Sequence, residues 1–156
     1  MSKQRLHIVR LVDPSVQELE VLSTYDHEAF GSTGLRSSDI AFMARAGMVF
    51  LAQMDGETVG GCQLMRMVEE PTMMWGVGFY IRPQWRRQGL GSTFLAGVLE
   101  LISTLSCSGL MLTVDAGNAA ASGLYRSFGF RLLESMPEFY GRGEDRHLMR
   151  LDLRET

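Results

Sequence analysis

The spacing of apolar residues along the chain switches between a period of two and a period near that of a helix, which predicts alternating strands and helices. Ser37 or Ser38 is expected to cap the second helix, and Asp55-Gly56 is a typical hairpin turn. The elements predicted for the first half are a strand at Leu6–Val12, a helix from Asp13 to about Ala29, a helix at Asp39–Ala46, and strands at Met48–Met54 and Thr58–Val68.

The second half continues the alternation of strand and helix. Asn118 is expected to cap its last helix and Gly129 to end it. The order β-α-α-β-β-β-α-β-α-β-β predicts one α/β domain over residues 1–156, with a mixed sheet of about seven strands and about four helices. The elements predicted here are a strand at Met73–Ile81, a helix from Gly91 to about Leu105, a strand at Gly109–Asp115, a helix at Ala119–Phe128, and strands at Phe130–Met136 and His147–Leu153.

Composition limits the class of protein and its partners. Of the 156 residues, 46% are hydrophobic and 21% are charged, as expected of a globular domain. The formal net charge of −3 argues against a nucleic-acid partner held by a general basic field. No apolar run reaches the roughly 18 residues of a membrane span, so no membrane partner is expected. Composition leaves the oligomeric state open between monomer and dimer.

The cysteine and histidine residues predict neither a disulfide framework nor a metal site. Cys62 and Cys107 lie in apolar or small-residue stretches and are expected to be reduced and structural. The three histidines are scattered, without the spacing of metal ligands. Because the N-terminal segment has no apolar signal core, a cytoplasmic location is expected.

Two glycines separated by one leucine, Gly89 and Gly91, stand where a strand leads into a helix. The first N–H groups of a helix have no acceptor within the helix and carry the positive end of its dipole. Glycine lets an anion approach these groups without a Cβ in the way, so the segment predicts a phosphate-binding loop. It is neither a dinucleotide fingerprint, since position 94 is Phe, nor a P-loop, since no Gly-Lys-Ser/Thr follows. The alternative is a strand–helix turn without a ligand.

Two signatures together resemble those of the GNAT superfamily of N-acetyltransferases. The stretch Arg86-Arg87-Gln88-Gly89-Leu90-Gly91 fits the pattern R/Q-x-x-G-x-G/A, and Asn118 to Phe130 resembles N-x-x-A-x-x-L-Y-x-x-x-G-F. They lie on either side of one helix and one strand, and the resemblance covers roughly Met48 to Leu153. It implies the GNAT fold, with a mixed, mostly antiparallel central sheet.

The resemblance implies acetyl-CoA as co-substrate. Backbone N–H groups from about Arg87 to Ser92 would hold the pyrophosphate, and the main chain of Phe79 and Ile81 would pair with the pantetheine arm. The thioester would lie where the strand at Tyr80–Ile81 splays from the one at Leu112–Val114. The cofactor-binding residues implied are Phe79, Tyr80, Ile81, Arg86, Arg87, Gln88, Gly89, Leu90, Gly91, Ser92, Asn118 and Tyr125.

The family chemistry implies a role for Tyr125. An amine attacks the thioester carbonyl, backbone N–H groups stabilise the oxyanion, and the departing thiolate needs a proton donor. The resemblance gives this last role to Tyr125 and a pantetheine hydrogen bond to Asn118. The alternatives are a tyrosine packed in the core and a helix cap, and the second is compatible with binding pantetheine.

The segment from Glu138 to Met149 resembles the stretch Y-Y-x-x-G-E-D-A-x-x-M of protein N-terminal acetyltransferases. Tyr140 matches the second tyrosine, Phe139 replaces the first, and Arg146 replaces the small residue. The resemblance implies a hairpin that closes over a peptide N-terminus, with Tyr140 and Glu138 as substrate-binding residues. The alternative is an ordinary polar hairpin loop.

The general base is where this sequence departs from the family. The resemblance associates the positions of Thr113 and Trp75 with the proton acceptor, and neither residue can serve as one. Asp115 shares a strand face with Thr113. The candidates are Asp115, Glu69, Glu70 and Glu138, each of which is alternatively a solvated surface carboxylate; we take Glu70 and Asp115 as the catalytic candidates beside Tyr125.

The hypothesis is an acetyl-CoA-dependent N-acetyltransferase that acts on a primary amine. A peptide or protein N-terminus is placed ahead of a small-molecule amine as the acceptor. The alternative from another class is a non-catalytic acyl-CoA-binding sensor domain. The missing base favours that alternative, and the intact Tyr125 argues against it.

Overall fold

The computed structural model describes residues 5–153 and contains the predicted succession of elements. The strands form a seven-stranded sheet in the order β1-β2-β3-β4-β5-β7-β6. This confirms the predicted α/β fold and its order of strands and helices. The elements are β1 (His7–Arg10), α1 (Val16–Phe30), α2 (Ser37–Ala46), β2 (Met48–Met54), β3 (Glu57–Arg66), β4 (Met73–Ile81), α3 (Leu90–Ser103), β5 (Gly109–Asp115), α4 (Ala119–Ser127), β6 (Arg131–Met136) and β7 (Arg146–Asp152).

The chain divides into two compact units. The first, called here the N-terminal unit, contains the residues up to Met65 together with Gly78–Leu101. The second, the C-terminal unit, contains Arg66–Val77 and the chain from Ile102 onward. No helix within the described residues is long and apolar enough to cross a membrane.

In the N-terminal unit, β1 pairs antiparallel with β2, and β2 with β3. The turn between β2 and β3 has positive φ at Asp55 (51°) and Gly56 (79°), as a two-residue hairpin of the predicted kind requires. Apolar side chains of α1 and α2 cover the strands. The buried cluster consists of Leu11, Leu22, Ile40, Val49 and Leu51.

The two N-terminal helices begin differently. Ser15 caps α1 through a capping box, in which its Oγ accepts the Glu18 N–H at 3.1 Å and its own N–H donates to Glu18 at 3.3 Å. The prediction that Ser37 or Ser38 caps α2 is wrong. Arg36 holds the cap position instead, because its backbone N–H donates to the Asp39 carboxylate at 2.9 Å and its guanidinium adds an ion pair.

In the C-terminal unit, the first part of β4 pairs parallel with β5, from Met73 opposite Gly109 to Gly76 opposite Leu112. Strand β7 pairs antiparallel with both β5 and β6. Methionines fill much of the buried cluster of this unit, as expected of flexible apolar side chains that occupy irregular gaps. The cluster contains Met73, Met111 and Leu148, with Met67, Trp75 and Met136 packed against it.

Candidate functional site

The predicted phosphate-binding loop has the backbone conformation that its glycines suggested. Arg87 (φ 65°) and Gly89 (φ 75°) both lie in the left-handed region, two residues apart, directly before α3. A Cβ added at Gly89 would meet no atom within 4 Å, so this face of the loop is open. The backbone at Gly89 is therefore open to the approach of an anion at the start of α3.

Side chains stabilise the loop without covering it. The Arg86 Nε donates to the carbonyl oxygen of Ile81 at 2.8 Å, so this arginine folds back onto the strand that precedes the loop. The Thr93 hydroxyl donates to the Gly89 carbonyl at 3.2 Å. Arg87, Gln88 and Ser92 are exposed, and Leu90 and Gly91 are half-buried. The loop thus offers mainly backbone donors.

The three β4 residues implied in pantetheine binding have their side chains engaged in packing. The Phe79 ring stacks on Phe94 of α3 with centroids 5.1 Å apart. Tyr80 is buried, with its ring edge-on to Phe30 at 5.8 Å, and burial raises the pKa of its hydroxyl. Ile81 is buried as well. Any contact of these residues with a ligand would therefore be made through the main chain.

In the C-terminal unit, the second signature folds into a capped helix. The Asn118 Oδ1 accepts the Ala121 N–H at 3.0 Å, which confirms the predicted cap of α4. Gly129 follows the helix with φ 96°, as predicted for its end. Tyr125 is buried, and its ring packs against Phe130 at 5.4 Å. Residues of the signature therefore cap the start of α4 and pack against the buried ring of Tyr125.

The connection between β6 and β7 presents an exposed aromatic pair, Phe139 and Tyr140, whose rings meet edge to face at 4.7 Å. The Thr113 hydroxyl donates to the Tyr140 hydroxyl at 3.4 Å, and the Trp75 ring lies 6.3 Å from that of Phe139. Both strand positions that the resemblance associates with the base therefore contact this pair. The connection is also closed through its backbone, since the Glu138 N–H donates to Asp145 at 2.9 Å.

The two catalytic carboxylate candidates are both paired with arginines. Each carboxylate oxygen of Glu70 accepts a hydrogen bond from one terminal nitrogen of Arg150, at 3.0 and 3.1 Å. Asp115 lies 3.5 Å from the Arg146 guanidinium and accepts the Gly117 N–H at 2.8 Å. Their assignment as the base stays a prediction, and the arginines are competitors for the lone pairs that a base needs.

Arg146 has a larger role than its position in the motif indicated. Its guanidinium is paired with Glu144 at 3.0 Å and lies 5.1 Å from the centroid of the Tyr140 ring. With Asp115, it links β5, β7 and the aromatic pair. The signal in the sequence was the replacement of a small family residue by arginine, but its partners depend on strand pairing.

A buried polar pair in the N-terminal unit, Asp26 of α1 and Gln63 of β3, was missed altogether. They are 1% and 2% exposed, and the Gln63 amide nitrogen donates to Asp26 at 3.3 Å. Desolvation raises the pKa of Asp26, although the Leu35 N–H donates to its other oxygen at 2.8 Å. The available signals were Asp26 one turn after the buried Leu22 and Gln63 within an apolar strand.

Cysteine and metal chemistry have no support in the described region. Cys62 and Cys107 are buried and free, and burial raises the pKa of the Cys62 thiol to about 12. It is thus protonated and structural at neutral pH. Among residues 5–153, no group of three or more His, Cys, Asp or Glu side chains could hold a metal ion.

Comparison with known proteins assigns the family. The profile of the Acetyltransferase (GNAT) family matches residues 14–130, which is most of the chain. The protein therefore belongs to the GNAT family of acetyltransferases. This confirms the family that the two signatures had indicated.

Among curated relatives, an N-alpha-acetyltransferase of Sulfurisphaera tokodaii is 27% identical over 64% of this chain and 66% of its own length. An L-methionine sulfoximine/L-methionine sulfone acetyltransferase of Pseudomonas aeruginosa is 32% identical over 49% of this chain and 46% of its own. The chain thus spans less than two thirds of the length of these relatives.

A solved structure supports the fold over nearly the whole chain. The crystal structure of the ribosomal-protein-S18-alanine N-acetyltransferase from Escherichia coli superposes with a TM-score of 0.81. It is 21% identical and covers 97% of this chain and 96% of its own. At this identity the likeness establishes the fold alone.

Proposed function

We propose that this protein is an acetyl-CoA-dependent N-acetyltransferase that modifies a primary amine. The observation that carries the proposal is that both family signatures occur in the local structure their roles need. The loop at Arg87–Gly89 has an open, left-handed backbone directly before α3, and Asn118 caps the helix that carries Tyr125. Family membership over residues 14–130 supports the same reaction.

Acetyl-CoA supplies the acetyl group as a thioester, so that the amine forms a C–N bond while the C–S bond breaks. The nitrogen loses one proton and the sulfur gains one, which balances the reaction. Backbone N–H groups from Arg87 to Ser92 bind the pyrophosphate, and the main chain of Phe79 and Ile81 binds the pantetheine arm. Tyr125 donates a proton to the leaving sulfur. These assignments need backbone donors and one hydroxyl, and no metal.

The acceptor is an α-amine, with a peptide or protein N-terminus ahead of a small molecule. Glu70 and Asp115 are paired with arginines, so proton removal from the incoming amine is weakly assisted. An α-amine has a pKa of about 7.7–8.0 and is partly neutral near pH 7, whereas a lysine amine, at about 10.4, is almost fully charged. The names of the two curated relatives, an N-alpha-acetyltransferase and an acetyltransferase of an amino-acid derivative, support this class. The cytoplasm is the proposed location, and two free buried cysteines fit a reducing compartment.

Thiol release from acetyl-CoA tests the proposal on three acceptors: a peptide with a free N-terminus, the same peptide N-blocked with a free lysine, and L-methionine sulfoximine. We expect the free N-terminus to exceed the blocked lysine peptide by about tenfold or more, with a rate that rises through the α-amine pKa. Preference for the lysine peptide would contradict the α-amine assignment, and preference for sulfoximine would select a small molecule.

The non-catalytic alternative has its own signature in the same experiment. The occupation of the two base positions by Thr113 and Trp75 is the observation that favours it. Binding of acetyl-CoA measured by calorimetry, without thiol release for any acceptor, would identify an acyl-CoA-binding sensor domain. Absence of binding would contradict both functions.

A further inference from the structure

The side-chain oxygen of Gln63 is buried and lacks a hydrogen-bond partner within the described structure. The residue is 2% exposed, and its amide nitrogen already donates to Asp26 at 3.3 Å. Buried polar atoms in native proteins are nearly always hydrogen-bonded, so an orphaned acceptor needs an explanation. One explanation is a ligand that supplies the missing hydrogen-bond donor.

Asp26 determines which way the Gln63 amide points. Its two carboxylate oxygens accept from the Leu35 N–H at 2.8 Å and from Gln63 Nε2. The NH₂ group of the amide donates to Asp26, so the amide oxygen at the other branch of the same group faces away from the carboxylate. The orphaned oxygen is therefore oriented by a second buried residue.

The oxygen faces Gly78 of β4, where the absence of a side chain makes room for it. A Cβ added at Gly78 would lie 2.6 Å from Gln63 Oε1, and the next nearest atom, of Phe30, would be 3.5 Å away. Gly78 directly precedes Phe79, whose main chain we assign to the pantetheine arm. The acceptor oxygen thus lies against β4 one residue before the segment assigned to the pantetheine arm and two residues before the predicted position of the thioester at Tyr80–Ile81.

We propose that Oε1 of Gln63 accepts a hydrogen bond from the N–H of the acceptor amine, and that Asp26 is the positioning residue that orients it. The inference rests on the proposed N-acetyltransferase function. A primary amine keeps an N–H on nitrogen while it attacks, and this bond becomes stronger as the nitrogen gains positive charge. The amide oxygen takes no proton. A hydroxyl nucleophile has a single hydrogen, which it loses in the reaction, so the contact selects nitrogen over oxygen acceptors.

The test compares Gln63→Met, which keeps the length of the side chain but removes the acceptor, with Gln53→Met on β2 as the matched control. With the free-N-terminus peptide, Gln63→Met should lower kcat/KM for thiol release by about 10- to 100-fold. Thiol release in the absence of an amine measures hydrolysis of acetyl-CoA, and in Gln63→Met it should stay within about twofold of the wild-type rate. In the control, Gln53→Met, both aminolysis and hydrolysis should stay within about twofold of wild type. Loss of aminolysis alone would indicate a lost contact with the amine, whereas loss of both reactions would indicate a disturbed fold or acetyl-CoA site.

Binding provides a readout that does not depend on turnover. Calorimetry should give unchanged acetyl-CoA affinity for Gln63→Met, and weaker binding of the peptide to protein saturated with CoA. Asp26→Asn presents an NH₂ group to Gln63 and should turn the amide around, with the same loss. We expect the double variant Asp26→Asn with Gln63→Glu to recover aminolysis. The Asn NH₂ group would donate to one oxygen of the new carboxylate, and the other oxygen would again be an oriented acceptor.

Gly78→Ala tests the geometry independently, because its Cβ would displace the Gln63 oxygen and little else. It should reduce aminolysis in the wild-type background and have no further effect in Gln63→Met. Two results for Gln63→Met would overturn the inference: equal loss of aminolysis and hydrolysis, or unchanged aminolysis. Additive losses when Gly78→Ala is combined with Gln63→Met would overturn it as well. If the wild type itself releases no thiol with any amine, the proposed function fails instead.

Discussion

The loop at Arg87–Ser92 and the connection between β6 and β7 each contain glycine with positive φ, yet they present different kinds of atoms. In the loop, the left-handed residues leave backbone groups open, and the neighbouring side chains are exposed. In the connection, Gly141 and Gly143 only shape the chain, and the contacts are made by the side chains of Tyr140 and Arg146. An open backbone can be predicted from glycine spacing, whereas side-chain contacts depend on partners brought from elsewhere in the sequence.

The largest effect should come from adding a side chain to the backbone site. Gly89→Glu and Gly91→Glu place bulk and negative charge among the donors assigned to the pyrophosphate, and each should abolish acetyl-CoA binding in a calorimetric titration. Gly56→Glu in the β2–β3 turn is the matched control, because Gly56 also has positive φ (79°) and open surroundings. It carries a similar conformational penalty of about 1–2 kcal/mol without touching the loop. Near-normal affinity in folded Gly89→Glu would contradict the assignment of the loop.

The next effect tests a side chain with a single chemical function. Tyr125→Phe keeps the packing against Phe130 and removes the hydroxyl, so turnover should fall by about 10²- to 10⁴-fold with little change in acetyl-CoA affinity. Tyr25→Phe, which also deletes one hydroxyl, should retain turnover. Undiminished turnover of Tyr125→Phe in thiol-release kinetics would mean that the sulfur leaves by another route.

A smaller effect is expected where arginines already engage the carboxylates. Glu70→Gln should lower turnover by less than about tenfold, since Arg150 competes for its oxygens, and Asp115→Asn should be milder because Asp115 is the more exposed. The pH dependence of turnover should then follow the α-amine. A loss of about 100-fold or more at either position would assign the general base to that residue.

The smallest effect concerns stability, at the buried carboxylate of Asp26 in the N-terminal unit. Burial raises the pKa of Asp26, so the folded protein holds this proton more tightly than the unfolded chain does. The Asp26 contribution to the free energy of unfolding therefore falls as pH rises from about 4 through the raised pKa. Relative to wild type, Asp26→Asn should gain stability with rising pH in urea unfolding.

Asp39 provides the control of opposite sign. The Arg36 side chain lowers the pKa of Asp39, so its contribution is present at neutral pH and is lost as pH falls toward that lowered value. The free energy of unfolding of Asp39→Asn should therefore be closest to that of the wild type at low pH. The same trend in both variants would contradict the burial of Asp26.

The sequence alone determined the order of strands and helices, the turn at Asp55-Gly56, the cap at Asn118 and the family. Each of these depends on neighbours a few residues apart, through periodicity, glycine conformation or a side chain reaching the next helical turn. The start of α2 was predicted wrongly because the Asp39 carboxylate accepts the Arg36 N–H and stabilises a helix start before either serine.

Only the tertiary structure decided the partners of the polar side chains. Gln63 is 37 residues from Asp26, Tyr140 is 27 from Thr113, and Arg150 is 80 from Glu70. Strand order and register bring these groups together, and nothing in the local sequence encodes which carboxylate meets which arginine. A buried acceptor such as Gln63 is therefore visible in the sequence only as a polar letter in an apolar run, and its orientation comes from the fold.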